Sequence, residues 1–574
     1  MEEYRQANQE QQPEQQSEQE LSPLHKRIVR HKAFLPFVLF FGLAILFGFS
    51  SRFSDQPPNI EDITPAIGSP GEVLVITGES FGDDRQGGEV HIAGIRPTSS
   101  SYIEWSDERI SVRIPPGADS GLVSVITRNG KSEGMLFTNR DHIPVILEGP
   151  SQPGYPYIEE ITPTNGSVGT LITITGVNFG SDRGDGKVYF TSVAAGETTD
   201  QQGQTELDSM IPASESHYDY NMWRDREIGV YVPDGVTSGN IKVETDRGIS
   251  NAAYFEVTEP VGTKQLGQKR GYQLQYGVQI DNYIGEDQNS IYVWVPTVHK
   301  GLYQDNIEIS TDITPYWDSL ANVKVYLFEN IEPFRSYTAT HTIWFERAGV
   351  ETQVNPDKVV SQYDTERKLF EAFTESDFIV PADDEKIVKL AASIVGRERN
   401  PYRKARLIYD YILENYTYTE DPAEKEVVKS VSKNEGDGYI YAVLYTALLR
   451  AAGVPSRPVA GYLVYGNKRT TVHYWSEFYL EKFGWVPVDP VLGDGVRFMD
   501  VPEAAEPAEF YFGNMDNQHI TFSRGIIETT QMIPRGNTVE KNRSYSFQRI
   551  YEEASPSVAN YRSIWDDVTI IEWW

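Results

Sequence analysis

The chain has 574 residues and a mass of 64.9 kDa, too long for one domain, and about three to five domains are expected. Hydrophobic residues make up 39% of it, which excludes wholesale disorder. Acidic residues outnumber basic ones by 83 to 51, and the formal net charge of −32 argues against nucleic acid as a partner. The absence of cysteine excludes disulfides, thiolate metal sites and a thiol nucleophile.

The first elements in chain order are a polar tail and an apolar run. Residues 1–32 begin with a stretch rich in Gln and Glu, and we expect a disordered tail. Residues 33–50 carry no charge and would cover about 27 Å as a helix, enough for a bilayer core. These features predict a single transmembrane helix.

The charges around this run set its direction. Lys26, Arg27, Arg30 and Lys32 precede it, and only Arg52 follows closely, so the N-terminus is predicted in the cytoplasm. Everything after about residue 51 is then periplasmic or extracellular. A cleaved signal peptide is the alternative, but the sequence after the run offers no A-x-A cleavage site.

An internal repeat follows. Residues 60–82 (IEDITPAIGSPGEVLVITGESFG) align with residues 158–180 (IEEITPTNGSVGTLITITGVNFG), and residues 110–134 align with residues 228–251. The spacing grows by 20 residues between the two blocks, which indicates an insertion near residues 198–220 of the second copy. Short β-rich runs between Gly, Pro, Asn and Asp turns predict two antiparallel sandwiches.

The repeated pattern resembles the IPT/TIG family of immunoglobulin-like domains. The resemblance covers residues 57–139 and 156–258 and implies spacer or protein-contact modules. Two turn loops hold Asp83, Asp84, Asp182 and Asp185. They admit a calcium site, but Asp-Gly is also ordinary turn chemistry. Because each copy has its own alternating strands, we expect a fragment of residues 156–258 to fold alone.

The C-terminal half changes from strands to helices and back. Residues 264–360 alternate over strand-length runs and predict a further β-sandwich domain. Apolar stripes then predict helices from about Asp383, from Pro401, and from about Tyr439 to Ala452. Three strand-like runs follow, which gives an α+β domain.

This last part resembles the core of the transglutaminase-like, papain-related family. The resemblance rests on GDGYIYAVLYTALLRAAGVPSRPVAGY, HYWSEFYLEKFGWVPVDPVLG and FYFGNMDNQHITFSRG. It implies acyl transfer or amide hydrolysis by a Cys-His-Asp triad. The triad's His corresponds to His473 and its Asp to Asp489, whereas the nucleophile position is Gly438.

Glycine cannot form an acyl intermediate, so the resemblance implies a pseudoenzyme. Asp437, Tyr439 and Ser432 are poor substitute nucleophiles because of their placement or, for the phenol, its pKa near 10. His473 and Asp489 then either serve packing alone or belong to a cleft that binds a peptide or glycan, lined by Trp475, Tyr439 and Tyr462. No metal site and no cofactor are expected.

The predicted fold is multidomain, with one transmembrane helix, two Ig-like sandwiches, a β-rich domain and an α+β core. Its domains are predicted over residues 1–32, 33–50, 57–139, 156–258, 264–360, 361–525 and, as a C-terminal extension, 526–574. We expect a scaffold protein of a bacterial cytoplasmic membrane that binds an extracytoplasmic protein or cell-wall partner. The alternative is a cysteine-type acyl transferase, peptidase or amidase altered at Gly438.

Overall fold

A computed structural model describes residues 56–140, 154–192, 207, 210–258, 261–318, 322–498, 501, 506–541 and 543–574. The chain divides between residues 147 and 148 into two compact units. The predicted tail and transmembrane helix, residues 1–32 and 33–50, lie outside the described residues. Within the described ranges, no helix has the length and apolar character needed to cross a membrane.

The first unit is a two-sheet sandwich. Its sheets have the strand orders β1-β3-β6-β5 and β2-β9-β7-β4, with β8 paired to β7. Alternate side chains such as Leu74 and Ile76 are fully buried between the sheets, as a period of two requires. The strands are β1 Asn59–Thr64, β2 Ile67–Gly68, β3 Val73–Glu79, β4 Glu89–Ile92, β5 Tyr102–Trp105, β6 Arg109–Arg113, β7 Gly121–Thr127, β8 Gly130–Lys131 and β9 Met135–Asn139.

The second unit begins with a sandwich of the same plan. Its sheets have the orders β10-β12-β16-β15 and β11-β19-β17-β13-β14, with β18 paired to β17. The extra strand β14 comes from the predicted insertion. The strands are β10 Tyr157–Thr162, β11 Asn165–Gly166, β12 Leu171–Val177, β13 Lys187–Ser192, β14 Met210–Pro212, β15 Tyr220–Arg224, β16 Glu227–Tyr231, β17 Val236–Thr245, β18 Gly248–Ile249 and β19 Ala253–Val257.

The described end of the insertion attaches this second sandwich to the rest of the unit. The ring of Tyr218 packs edge-on against Phe373 at 5.9 Å, and Asp219 lies 3.9 Å from Arg367 with both side chains 3% exposed. Near this contact, Asp234 accepts hydrogen bonds of 2.6 and 2.8 Å from the Lys264 ammonium group. The second sandwich is therefore docked through buried charges, and independent folding of residues 156–258 stays a prediction.

A β domain forms the next layer. Its two sheets have the orders β22-β24-β20-β33, with β34 also paired to β20, and β23-β21-β32-β31. Its strands are β20 Gly262–Gly285, β21 Ser290–Pro296, β22 Gln304–Thr311, β23 Val323–Glu329 and β24 Tyr337–Val354, and, from the end of the chain, β31 Asn537–Val539, β32 Glu552–Ala554, β33 Val558–Trp565 and β34 Thr569–Trp573.

The separation of residues 526–574 as a C-terminal extension is corrected by this topology. Strands β33 and β34 pair with β20, and β32 pairs with β21, so these residues complete the β domain. The reason is the 24-residue length of β20, whose edge opposite β24 offers backbone hydrogen bonds that, among the described strands, the returning β33 and β34 satisfy. The core is thus inserted between two halves of the β domain.

The core contains seven helices among its described residues, and the three predicted ones are confirmed. The central helix α5 is buried along nearly its whole length, and Gly453, with φ of +76°, follows its end as a C-terminal cap. The helices are α1 Lys368–Thr374, α2 Glu385–Val395, α3 Pro401–Asn415, α4 Val427–Ser430, α5 Gly438–Ala451, α6 Pro490–Gly493 and α7 Pro507–Phe510.

One face of the core sheet packs on α5 and the other on the β domain. The sheet has the order β29-β28-β27-β30, and a two-stranded pair, β25-β26, lies beside it. Ser476 donates a 2.8 Å hydrogen bond to the carbonyl of Ala442 in α5, so its neighbours Trp475 and Glu477 point the other way. The strands are β25 Thr417–Tyr418, β26 Glu435–Gly436, β27 Ser456–Tyr465, β28 Arg469–Leu480, β29 Gly484–Val488 and β30 His519–Arg524.

Candidate functional site

The helix α5 begins at Gly438, the predicted nucleophile position. Asp437 caps the helix, because its carboxylate accepts a 3.0 Å hydrogen bond from the Ile440 amide. A Cβ atom added at Gly438 would meet only Tyr474 Cδ2 at 3.7 Å and Val491 Cγ2 at 3.8 Å, which are ordinary contacts. Gly438 is also partly exposed. The position has room for a side chain that the sequence does not supply.

The two retained triad positions are in contact. His473 Nε2 lies 2.7 Å from Asp489 Oδ2, and both residues are buried. The other carboxylate oxygen of Asp489 accepts hydrogen bonds from the amides of Val491 and Leu492 at 2.9 and 3.0 Å, since Asp489 caps helix α6. His473 Nε2 therefore donates a proton to the Asp489 carboxylate, and this hydrogen bond orients the imidazole ring.

A second histidine, not predicted from the sequence, shares the same carboxylate. His519 Nε2 lies 3.0 Å from Asp489 Oδ2, and its Nδ1 lies 2.8 Å from Asp516 Oδ1. The Tyr511 hydroxyl donates a 3.1 Å hydrogen bond to the other oxygen of Asp516. The only sequence signal is that His519 opens a strand within a block that already resembles the family, three residues after an aspartate.

The electrostatics of this buried network favour a charged His519. Burial alone would lower the pKa of His519, but Asp516 and Asp489 outweigh burial and raise it to about 9. Burial would likewise raise the pKa of Asp489, yet His473 and His519 hold it well below its usual range. The pKa of Asp516 is lowered mainly by His519 against the effect of burial. The network is thus an imidazolium between two carboxylates.

The raised pKa of His519 predicts a pH-dependent stability. A histidine with a pKa near 6.5 in the unfolded chain and about 9 in the folded chain contributes its full stabilisation of the folded state below about pH 6.5. That contribution is lost as the pH rises through about 9, and its full size is about 3 kcal/mol. Urea denaturation of the wild type and of His519→Gln should give free energies that differ more at about pH 6 than at about pH 10. A difference that does not change with pH would contradict the charged state.

His473, Asp489 and His519 are also a group of possible metal ligands, since their ligand atoms lie within 4.8 Å of one another. However, both Nε2 atoms lie at hydrogen-bond distance from one oxygen, and Asp489's other oxygen is already used by two amides. Every one of these donors and acceptors is satisfied by its neighbours. The donor set therefore fits a hydrogen-bonded network better than a metal centre.

The possible substitute nucleophiles are engaged elsewhere. Asp437 caps the helix and pairs with Arg543. Burial raises the pKa of Tyr439 to about 12, so its phenol stays protonated at neutral pH. Ser432 is exposed and donates its hydroxyl proton to the carbonyl of Lys429 at 3.0 Å. None of these three described residues is therefore a ready substitute for the missing thiol.

The three residues predicted to line a binding cleft are buried instead. Trp475 is 1% exposed and packs edge-on against His519, and Tyr462 is 1% exposed in a separate cluster with Phe522. Tyr439, 7% exposed, lies under the guanidinium group of Arg543. This part of the prediction is corrected, because the core sheet is covered on both faces and its aromatic side chains serve packing.

Comparison with known proteins agrees with this geometry. A model of the transglutaminase-like superfamily core matches residues 388–490, and a model of the IPT/TIG domain matches residues 58–140 and 156–257. The chain contains a transglutaminase-like core and two tandem IPT/TIG domains. The core holds the expected histidine and aspartate in contact, and the cysteine of the motif is absent.

Individual relatives match only parts of the chain. An uncharacterized protein of Haemophilus influenzae is 25% identical over 161 residues, which cover 23% of this chain and 44% of the relative. The uncharacterized protein YebA of Bacillus subtilis is 30% identical over 157 residues, which cover 22% of this chain and 20% of YebA. This chain therefore spans less than half of the length of either.

A solved structure described as a putative cysteine protease from Cytophaga hutchinsonii covers 54% of this chain and 92% of its own. It shows 12% sequence identity and a TM-score of 0.36.

Proposed function

We propose that this protein is a membrane-anchored, extracytoplasmic scaffold or binding protein whose transglutaminase-like core does not catalyse. One observation carries the proposal: helix α5 begins at Gly438, where the family's chemistry requires a thiol, in a chain without cysteine. His473 has its orienting partner Asp489 but no nucleophile to deprotonate. The buried network of His473, Asp489 and His519 then serves to hold the core together, which is a structural role.

The IPT/TIG domains support the scaffold role. The second one is docked on the core through Asp219–Arg367 and on the β domain through Asp234–Lys264, so it belongs to the same compact unit as the core. The charge asymmetry around residues 33–50 supports an anchor with the remainder of the chain outside the cytoplasm. The partner would be an extracytoplasmic protein or a cell-wall component.

The absence of catalysis is tested by assays on the purified wild-type protein with amine-transfer, peptide and amide substrates. We expect no turnover, and we expect His473→Ala to change no rate, because no acyl intermediate can form at Gly438. Turnover that depends on His473 would overturn the proposal. The binding role is tested by using residues 51–574 as bait for membrane and cell-wall fractions, with the bait denatured before coupling as the control.

The orientation gives a separate prediction. External protease added to osmotically opened cells should digest residues beyond about 51 and spare a short fragment that carries a tag near residue 20, because only the tail is cytoplasmic. Immunoblotting against the tag measures this, and a cytoplasmic marker protein that stays intact shows that the inner membrane is sealed. Protection of the large C-terminal part would refute the orientation.

A further inference from the structure

A second group of buried charges lies where the second sandwich, the β domain and the core meet. Four cations belong to it, and two of them are fully partnered. The Lys264 ammonium group donates to Asp234 at 2.6 and 2.8 Å and to the carbonyl of Trp485 at 2.8 Å. Arg457 lies against Glu477, with nitrogen–oxygen distances of 2.9 and 2.8 Å. These pairs use the carboxylates of Asp234 and Glu477.

The other two cations, Arg347 and Arg524, share their carboxylates with other cations. Arg524 shares Glu477 with Arg457, and Asp516, which acts on Arg347, is already paired with His519. Arg347 is 1% exposed, and its Nε donates to the carbonyl of His519 at 2.7 Å, but its Nη1 has no hydrogen-bond partner among the described residues. The Arg524 side chain is 6% exposed, and its Nε lies 3.2 Å from Glu477 without the geometry of a hydrogen bond. Both are buried charges with unsatisfied donors.

These two guanidinium groups meet at one aromatic ring. The Cζ atoms of Arg347 and Arg524 lie 5.5 and 5.4 Å from the ring centre of Tyr303. Among the described residues, the buried hydroxyl of Tyr303 has no hydrogen-bond partner, and Lys264 Nζ lies 5.9 Å from the ring centre. Burial, followed by repulsion from Arg524, lowers the pKa of Arg347 to about 10 against the opposing effects of Asp516, Tyr303 and Glu477.

The net charge of this buried group indicates which ligand could stabilise it. The adjoining network adds the charged His519 and the carboxylates of Asp489 and Asp516, and Asp516 acts on Arg347. Counted together, five cations face four carboxylates, so one positive charge remains in a region removed from water. Unpaired buried charges are strongly unfavourable, and a missing partner costs several kcal/mol. Water could satisfy the free donors at Arg347, Arg524 and Tyr303, but it could not balance the charge. An anion can do both.

We propose that a small inorganic anion of chloride's size binds between Arg347, Arg524 and the hydroxyl of Tyr303. The near-complete burial of both arginines favours a small anion over phosphate or a substrate carboxylate. Tyr303 and Arg347 come from the β domain, and Arg524 comes from the core. The anion would therefore join the β domain to the core that is inserted in it.

The test compares the melting temperature of the full chain in sodium chloride and in sodium gluconate at equal ionic strength. We expect a higher melting temperature in chloride, which rises with the logarithm of the chloride concentration above saturation of the site. Arg524→Leu should remove this dependence while Glu477 keeps Arg457 as its partner. Arg335→Leu, which alters an exposed arginine paired with Glu332, is the control and should keep it.

A second measurement does not depend on any variant. Crystals of the wild-type protein grown or soaked in bromide should show an anomalous peak in contact with Arg347 Nη1 and the Arg524 guanidinium group. Equal melting temperatures in both salts together with no bromide peak would overturn the proposal. A chloride dependence that survives in Arg524→Leu would overturn it as well, because the stabilising anion would then lie elsewhere.

Discussion

Gly438→Cys is expected to place a reactive thiol at the start of helix α5, in a chain that otherwise has no cysteine. The positive end of the helix and His473 both favour the thiolate, so the thiol pKa should fall below about 8.5. The added Cβ atom meets nothing closer than 3.7 Å, so the variant should fold. Below its pKa, each unit of lowering should raise the rate of alkylation by iodoacetamide about tenfold through the thiolate fraction.

The matched control is Ser432→Cys, which places a thiol at an exposed residue six positions upstream and before the helix. Its rate of alkylation should be that of an ordinary thiol with a pKa of about 8.5. Adding His473→Ala to Gly438→Cys should remove much of the difference between the two thiols. If the cysteine at position 438 reacts no faster than the cysteine at position 432 at about pH 6–7, the retained histidine no longer faces the nucleophile position.

Asp489→Ala should destabilise the core by more than about 3 kcal/mol, the usual effect of removing one partner from a buried ion pair. The substitution leaves His473, His519 and the amides of Val491 and Leu492 without their common acceptor. It also leaves the positive charge of His519 with Asp516 alone. Urea denaturation followed by tryptophan fluorescence measures the loss, since Trp475 packs against His519.

Asp421→Ala serves as the comparison, because Asp421 is exposed and its ion-pair partner among the described residues is the exposed Lys425. That change should cost at most about 1 kcal/mol. If Asp489→Ala cost no more than Asp421→Ala, the network would contribute nothing and the core would hold together through apolar packing alone.

Local patterns predicted much of this architecture. The repeated strands of the two sandwiches and the apolar stripes of α2, α3 and α5 follow from periods of two and 3.6 residues, which depend only on neighbouring residues. Both Asp489 and His473 lie in one short motif, and the strand pair β28–β29 brings them together. A separate block, GDGYIYA, gave Gly438 as the nucleophile position, and the helix predicted from about Tyr439 begins at Gly438.

Features that depend on distant parts of the chain escaped prediction. The sequence around Asp516 and His519 carries no sign that they lie beside Asp489. Their position depends on where strand β30 lies in the core sheet, and that order is set by distant parts of the chain. The burial of Trp475 and Tyr462 follows from the β domain covering the core sheet, which alternation within one strand cannot show. The contacts of the insertion, such as Tyr218 with Phe373, are likewise between segments far apart in sequence.

The insertion of the core into the β domain has a consequence for synthesis of the chain. Among the described strands, β33 and β34 alone cover one edge of β20, and the ribosome makes them after the entire core. At about 5–20 residues per second, the interval between residues 285 and 558 lasts roughly 15–55 s. During that time a long strand edge has no partner, and open edges of this kind pair with other chains. A reading frame truncated before residue 558 would therefore yield a chain prone to aggregation and not a smaller functional protein.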